Sequence, residues 1–121
     1  MSKPYTFLCA ILGTDTVFTV TLDDTESVAH LKTHIKEKNE QILASCDAHS
    51  LILYKVKLDV SKPETFREVV GAISRDSIYG EELDYPFSTL LEEFKESDLP
   101  EMTIHILVKL PAGKSIHFKS L

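Results

Sequence analysis

The chain has no tryptophan, only four glycines and only two cysteines among its 121 residues. Each scarcity removes a class of function. Gly13, Gly71, Gly80 and Gly113 stand alone, so no glycine-rich loop is available to cradle a phosphate through consecutive backbone N–H groups. Cys9 and Cys46 lie far apart in a chain long enough to build its core without staples. No disulfide framework is therefore implied, and whether the two pair stays open. No apolar stretch approaches the ~20 residues that span a bilayer, and the longest, Phe7 to Leu12, is short even for a signal-peptide core. Basic residues are also few: thirteen Lys and Arg against nineteen Asp and Glu leave a net charge of −6. That balance repels phosphate backbones and anionic lipid, so no direct nucleic-acid partner is expected.

What is present is enough apolar material for one core. The 43% hydrophobic content, with six Phe and four Tyr, fits a single soluble domain. Tyr5 to Leu12 and Val17 to Leu22 read as the arms of a β-hairpin closed through Gly13-Thr14-Asp15-Thr16. Asp24 is placed to cap a following helix and Glu26 to suit its positive end; Val28, Leu31, Ile35 and Ile42 recur at helical spacing, with Lys32, Lys36 and Lys38 in the later half. Leu51 to Leu58 reads as a central strand, with Leu51, Leu53 and Lys55 on one side and Ile52, Tyr54 and Val56 on the other. Pro63-Glu64 opens a second helix bearing Phe66, Val69, Val70 and Ile73. Residues 74–86 read as a surface loop, and Ser88 or Thr89 as the cap of a short helix with Leu90, Leu91 and Phe94. Thr103 to Leu110 alternates as a half-buried strand ended by Pro111.

This order predicts an α+β, ubiquitin-like β-grasp: a mixed sheet with a hairpin, one main crossover helix and additional short helices. The third strand is expected to return parallel to the first, and the C-terminal strand to lie beside the first. No internal repeat or low-complexity tract interrupts the chain.

Few constellations carry chemistry. His30, His34 and Glu37 share a helix at ligand spacing, but opposite the apolar stripe and with no further ligand nearby. They read as a solvated face, and no metal or other cofactor is expected. Cys9 and His105 would come close if the first and last strands are neighbours, yet a thiol inside an apolar strand is raised in pKa and unreactive. The acidic pairs Asp23-Asp24, Glu81-Glu82 and Glu92-Glu93, together with Glu96, point apart and read as solubility. The expectation is a protein that binds and carries, and is not an enzyme. Within Leu53-Tyr54-Lys55-Val56-Lys57, Tyr54 reads equally as an exposed interface anchor or as a core tyrosine with its hydroxyl at the rim.

Three blocks, Phe7-Leu8-Cys9-Ala10-Ile11-Leu12-Gly13, Leu51-Ile52-Leu53-Tyr54-Lys55-Val56 and Ile104-His105-Ile106-Leu107-Val108-Lys109-Leu110-Pro111, together resemble the N-terminal header domain of the Crinkler effectors. Val28, Leu31, Lys32 and Ile35 resemble the helix of that domain. Oomycete members carry a motif of the form Leu-x-Leu-Phe-Leu-Ala-Lys associated with entry into host cells. Here Leu51, Leu53 and Lys57 match it, while Tyr54, Lys55 and Val56 stand at the centre, which is similar to the fungal form. The resemblance implies a ubiquitin-like Crinkler N-terminal domain over residues 1–113, with 114–121 a tail or the start of a linker. It further implies a protein that is secreted and then acts in the host cell, although no signal peptide is visible. Leu51, Leu53, Tyr54, Lys55, Val56 and Lys57 would be the translocation or docking motif, and a host or own protein of unknown identity the partner. In the family a C-terminal part carries the effector activity, so the resemblance leads to the expectation that residues 1–121 are either the N-terminal domain alone or a short member without a payload. The tail has no terminal Gly-Gly, so a conjugated modifier is not expected. The alternatives are an intracellular ubiquitin-like adaptor that binds a protein partner, and a motif that is simply a central strand.

Overall fold

The computed structural model describes residues 3–75, 80–95 and 99–111. Strands β1 (Pro4–Ile11) and β2 (Val17–Asp23) form the expected hairpin, with Tyr5 opposite Leu22 and Cys9 opposite Phe18. Its turn needs a residue in the left-handed region, and Gly13 supplies it at φ 84°. Thr14 locks the corner, its hydroxyl donating to the Ile11 carbonyl at 2.8 Å while accepting from the Thr16 N–H at 3.0 Å.

Helix α1 (Val28–Lys38) buries Val28, Leu31 and Ile35 against the sheet. Its cap is Ser27, whose hydroxyl accepts from the His30 N–H at 3.3 Å, and not Asp24. Asp24 lies three residues too early and is buried. Its Oδ1 accepts from the Lys3 N–H at 3.3 Å and its own N–H donates to the Lys3 carbonyl, so it ties the chain's beginning to this turn. Nor does Ile42 belong to the helix, because Asn39 ends it. Ile42 packs on the core from the following turns, which Lys36 closes by donating from Nζ to the Leu43 and Cys46 carbonyls.

A 3₁₀ turn at Ala48–Ser50 leads into β3 (Ile52–Asp59). Helix α2 (Pro63–Ser74) starts at the predicted proline, but only its later half lies against the sheet: Ile73 is buried and Val69 packs beside it, while Phe66 stays 41% exposed. Strand β4 (Glu81–Glu82) emerges inside the expected 74–86 loop, and Thr89 caps α3 (Leu90–Glu93) through a reciprocal pair with Glu92. Residues 76–79 of that loop, Glu96, and the tail with Gly113 lie outside the described residues.

Strand β5 (Thr103–Lys109) completes a mixed five-stranded sheet in the order β2-β1-β5-β3-β4, an α+β arrangement consistent with a ubiquitin-like β-grasp. β5 lies beside β1, as expected, and runs parallel to it, pairing Cys9 with Ile106 and Ile11 with Val108. The third strand does not return parallel to the first. β5 separates them and β3 runs antiparallel to it, Leu53 opposite Val108 and Tyr54 opposite Leu107. The reason lies in β5 itself, which is buried from Thr103 to Val108 instead of half-buried, and so takes the centre where both faces are covered.

Those two faces carry two apolar clusters. Phe7, Cys9, Leu31, Leu53, Ile106 and Phe94 meet under α1, whereas Ala10, Leu12, Ile73 and Leu107 meet under α2 with Leu8, Tyr54 and Val56. Each fully buried Leu, Ile or Phe contributes about 1.5–3 kcal/mol before entropy is counted.

Candidate functional site

The six motif residues follow the sheet's alternation and so do not form one surface. Leu51 and Leu53 are buried in the α1-side cluster; Tyr54 and Val56 are half-buried and pack against the α2-side cluster; Lys57 is exposed. Of the two readings of Tyr54, its place beside Leu107 and opposite Glu82 is that of a core tyrosine at the rim.

Lys55 has a structural task that its position in the motif does not reveal. Its Nζ donates to the Glu93 carbonyl at 2.9 Å and stands 5.2 Å from the centre of the Phe94 ring. A cation there meets the negative end of α3 and the face of an aromatic ring together, which ties β3 to that helix. The neighbouring strand is held closely as well. A Cβ on Gly80 would collide with the Lys55 carbonyl oxygen, so only glycine lets the chain approach β3 here.

The structure brings Cys9 and His105 onto adjacent strands, as expected, and denies them a joint reaction. Cys9 is fully buried, which pushes its thiol pKa far up, and its Sγ lies 3.8 Å from the Phe7 carbonyl. His105 is engaged at both ring nitrogens. Nδ1 accepts from the Leu8 N–H at 3.0 Å, which leaves the proton on Nε2, and Nε2 donates to the Pro100 carbonyl at 2.9 Å. Burial lowers the pKa of this imidazole and the Pro100 bond opposes that in part. The side chain thus takes over a backbone donor at the point where the β1–β5 ladder ends. Cys46 is also a free, buried thiol.

His30 and Glu37 are exposed on α1, and His34 Nε2 stands 3.8 Å from Glu26 Oε1. Among the described residues, no group of three His, Cys, Asp or Glu is placed to hold a metal ion. No helix among them is long and apolar enough to cross a membrane.

Compared with known families, residues 5–109 match the Crinkler effector protein N-terminal domain. The chain belongs to the Crinkler family. No curated protein and no solved structure matches it.

Two surface features of this Crinkler domain lie outside the motif. The first is a cleft of about 720 Å³ between the start of β1 and residues 99–103, with His105 in its wall and Met102 exposed beside it at φ 54°. Its lining comes from distant parts of the sequence, so no local pattern announces it. The second is a group of large apolar side chains left in solvent: Tyr85, Phe87 and Leu91, exposed to 59%, 75% and 56%. The sequence pattern groups Leu91 with Leu90 and Phe94, but α3 is one turn long and buries only those two. The tripeptide Tyr85-Pro86-Phe87, aromatic in an otherwise acidic stretch, is the sequence signal for this patch.

Proposed function

We propose that this domain is the non-enzymatic N-terminal module of a secreted Crinkler-type effector, serving secretion, translocation or docking in host cells. The observation that carries this reading is the family match across residues 5–109, together with a β-grasp core in which the potentially reactive thiol, Cys9, is sealed from solvent. Within Leu51, Leu53, Tyr54, Lys55, Val56 and Lys57, docking falls to the exposed Lys57 and to Tyr54, half-buried at the rim of the core. Leu51, Leu53 and Lys55 serve by holding the strand in place.

The second reading, that this segment is a structural strand and nothing more, is favoured by the full burial of Leu51 and Leu53. A delivery assay separates the two. Cargo fused to the domain is scored inside host cells for wild type, Tyr54→Ala/Lys57→Ala and Leu53→Ala, with circular dichroism on each protein. The effector reading expects the folded double variant to lose uptake. If only the unfolded Leu53→Ala protein loses it, the segment is a strand alone. If wild-type cargo stays outside, an intracellular ubiquitin-like adaptor becomes the better description.

A further inference from the structure

The patch at Tyr85, Phe87 and Leu91 is built into the fold. Segment 85–91 is fastened to the first residues of α1 and to the turn before it: Ala29 N–H donates to the Pro86 carbonyl, Val28 N–H to Ser88, Leu90 N–H to Glu26 and Leu91 N–H to Asp24, all between 2.8 and 3.0 Å. Ser27 and Thr89, the caps of α1 and α3, lie side by side in an isolated bridge. Held this way, Tyr85 and Phe87 turn outward with ring centres 5.9 Å apart in an edge-to-face pair. Such a pair is preorganised, so a partner meets apolar area without the entropy cost of ordering it.

The two segments that build the patch carry charge of one sign. Segment 23–29 carries two carboxylates that reach solvent, Asp23 and Glu26, besides the buried Asp24, and segment 81–93 carries five, with no Lys or Arg in either. The nearby cations lie outside these segments: Lys32 close enough to Glu82 for the carboxylate to act on its titration, Lys55 at the Glu93 carbonyl, and the exposed Lys95 just past α3. An apolar centre with an acidic rim has the anatomy of a docking site for a cationic, apolar-anchored partner.

We propose that Tyr85, Phe87 and Leu91, rimmed by these carboxylates, form a docking surface for a basic protein segment that inserts aromatic or leucine side chains. A second copy of this chain is disfavoured as occupant, because at −6 it brings the same sign of charge. The proposal goes beyond the effector reading and does not depend on how the protein travels.

The test uses two labelled synthetic peptides of equal positive charge, one presenting three leucines on a helical face and one with those leucines replaced by serine. Wild type is expected to bind the leucine peptide about ten-fold more tightly, with NMR shifts centred on Tyr85, Phe87 and Leu91 and affinity falling several-fold as salt rises. Phe87→Ser/Leu91→Ser should bring the two peptides within about two-fold of each other. If that pair of changes unfolds the protein, Tyr85→Ser provides the same comparison. Equal binding of both peptides by wild type, a shift map elsewhere, salt-insensitive binding, or folded variants that keep the preference would overturn the proposal. So would a dimer in sedimentation that these changes abolish, which would assign the patch to a second copy.

Discussion

The strand that holds the motif-like residues Leu53 to Lys57 and the segment that follows α2 differ in what they offer a partner. The residues that match the motif are drawn into two cores: Leu51, just before β3, and Leu53 under α1, Tyr54 and Val56 beneath α2, with Lys55 bound to the end of α3. In segment 85–91, no motif is recognisable, yet three large apolar side chains stand in solvent on a backbone fixed by four hydrogen bonds to the start of α1 and the turn before it. Likeness to a family therefore points to the residues that make the fold, and exposure points to the residues available for contact. Tyr54 and Lys57 are where the two criteria come closest.

The sharpest test of that division is Leu53→Ala. Leu53 is fully buried between β5 and α1, so truncation removes its transfer energy and leaves a cavity, a loss of about 2–5 kcal/mol. Urea unfolding followed by circular dichroism should show the midpoint falling with little change in slope. A loss below ~1 kcal/mol would mean that the motif strand is not the structural element described.

Acidification gives the next effect, and it acts on the opposite edge of β5. Burial holds the folded-state pKa of His105 below its ordinary value of 6.5. The neutral ring's contribution is therefore complete above pH 6.5 and is lost as pH falls through the folded value. Protonation also places a second donor against the Leu8 N–H, where Nδ1 now accepts. Wild type should lose more stability between pH 7 and pH 5 than His105→Gln does. Equal pH slopes for the two proteins would show that His105 is not the titrating group.

Lys55→Gln should cost about 1 kcal/mol, combining a charge at a helix end with a cation over a ring. Its mark is local: amide exchange should quicken in α3 while the hairpin is unaffected. Uniform quickening would instead make Lys55 part of the global core.

Much of this architecture is legible in the sequence because its signals are local. Gly13 with Thr14 and Thr16 marks the hairpin corner, Val28, Leu31 and Ile35 mark the buried face of α1, and Pro63 and Thr89 mark two helix starts. What the sequence misplaces depends on partners far along the chain. Strict alternation in β5 reads as a half-buried strand, and only the arrival of α2 on the second face buries it throughout. Asp24 has the chemistry of a cap, but its competing partner is Lys3, twenty-one residues away. Phe66 satisfies helical spacing and still sits at the end of α2 that the sheet does not reach. β4, two residues long and both of them Glu, has no periodicity to detect. The motif residues are identifiable by resemblance, while the split of their side chains between two clusters requires the sheet order.

The smallest stability effect is expected where the binding effect should be largest. Phe87 and Leu91 are exposed to 75% and 56%, so replacing both by serine removes little that folding buries. The change should stay within about 0.5 kcal/mol per site. Serine also weakens the local apolar contact between the Tyr85 and Phe87 rings, which is worth about 0.5–1.5 kcal/mol when such a pair is buried and less in solvent. A thermal or urea midpoint close to wild type would show that these side chains contribute little to the fold, so their exposure carries no compensating role in stability. A loss of several kcal/mol would show that segment 85–91 is a structural clasp between α1 and α3, and the contrast with β3 would collapse.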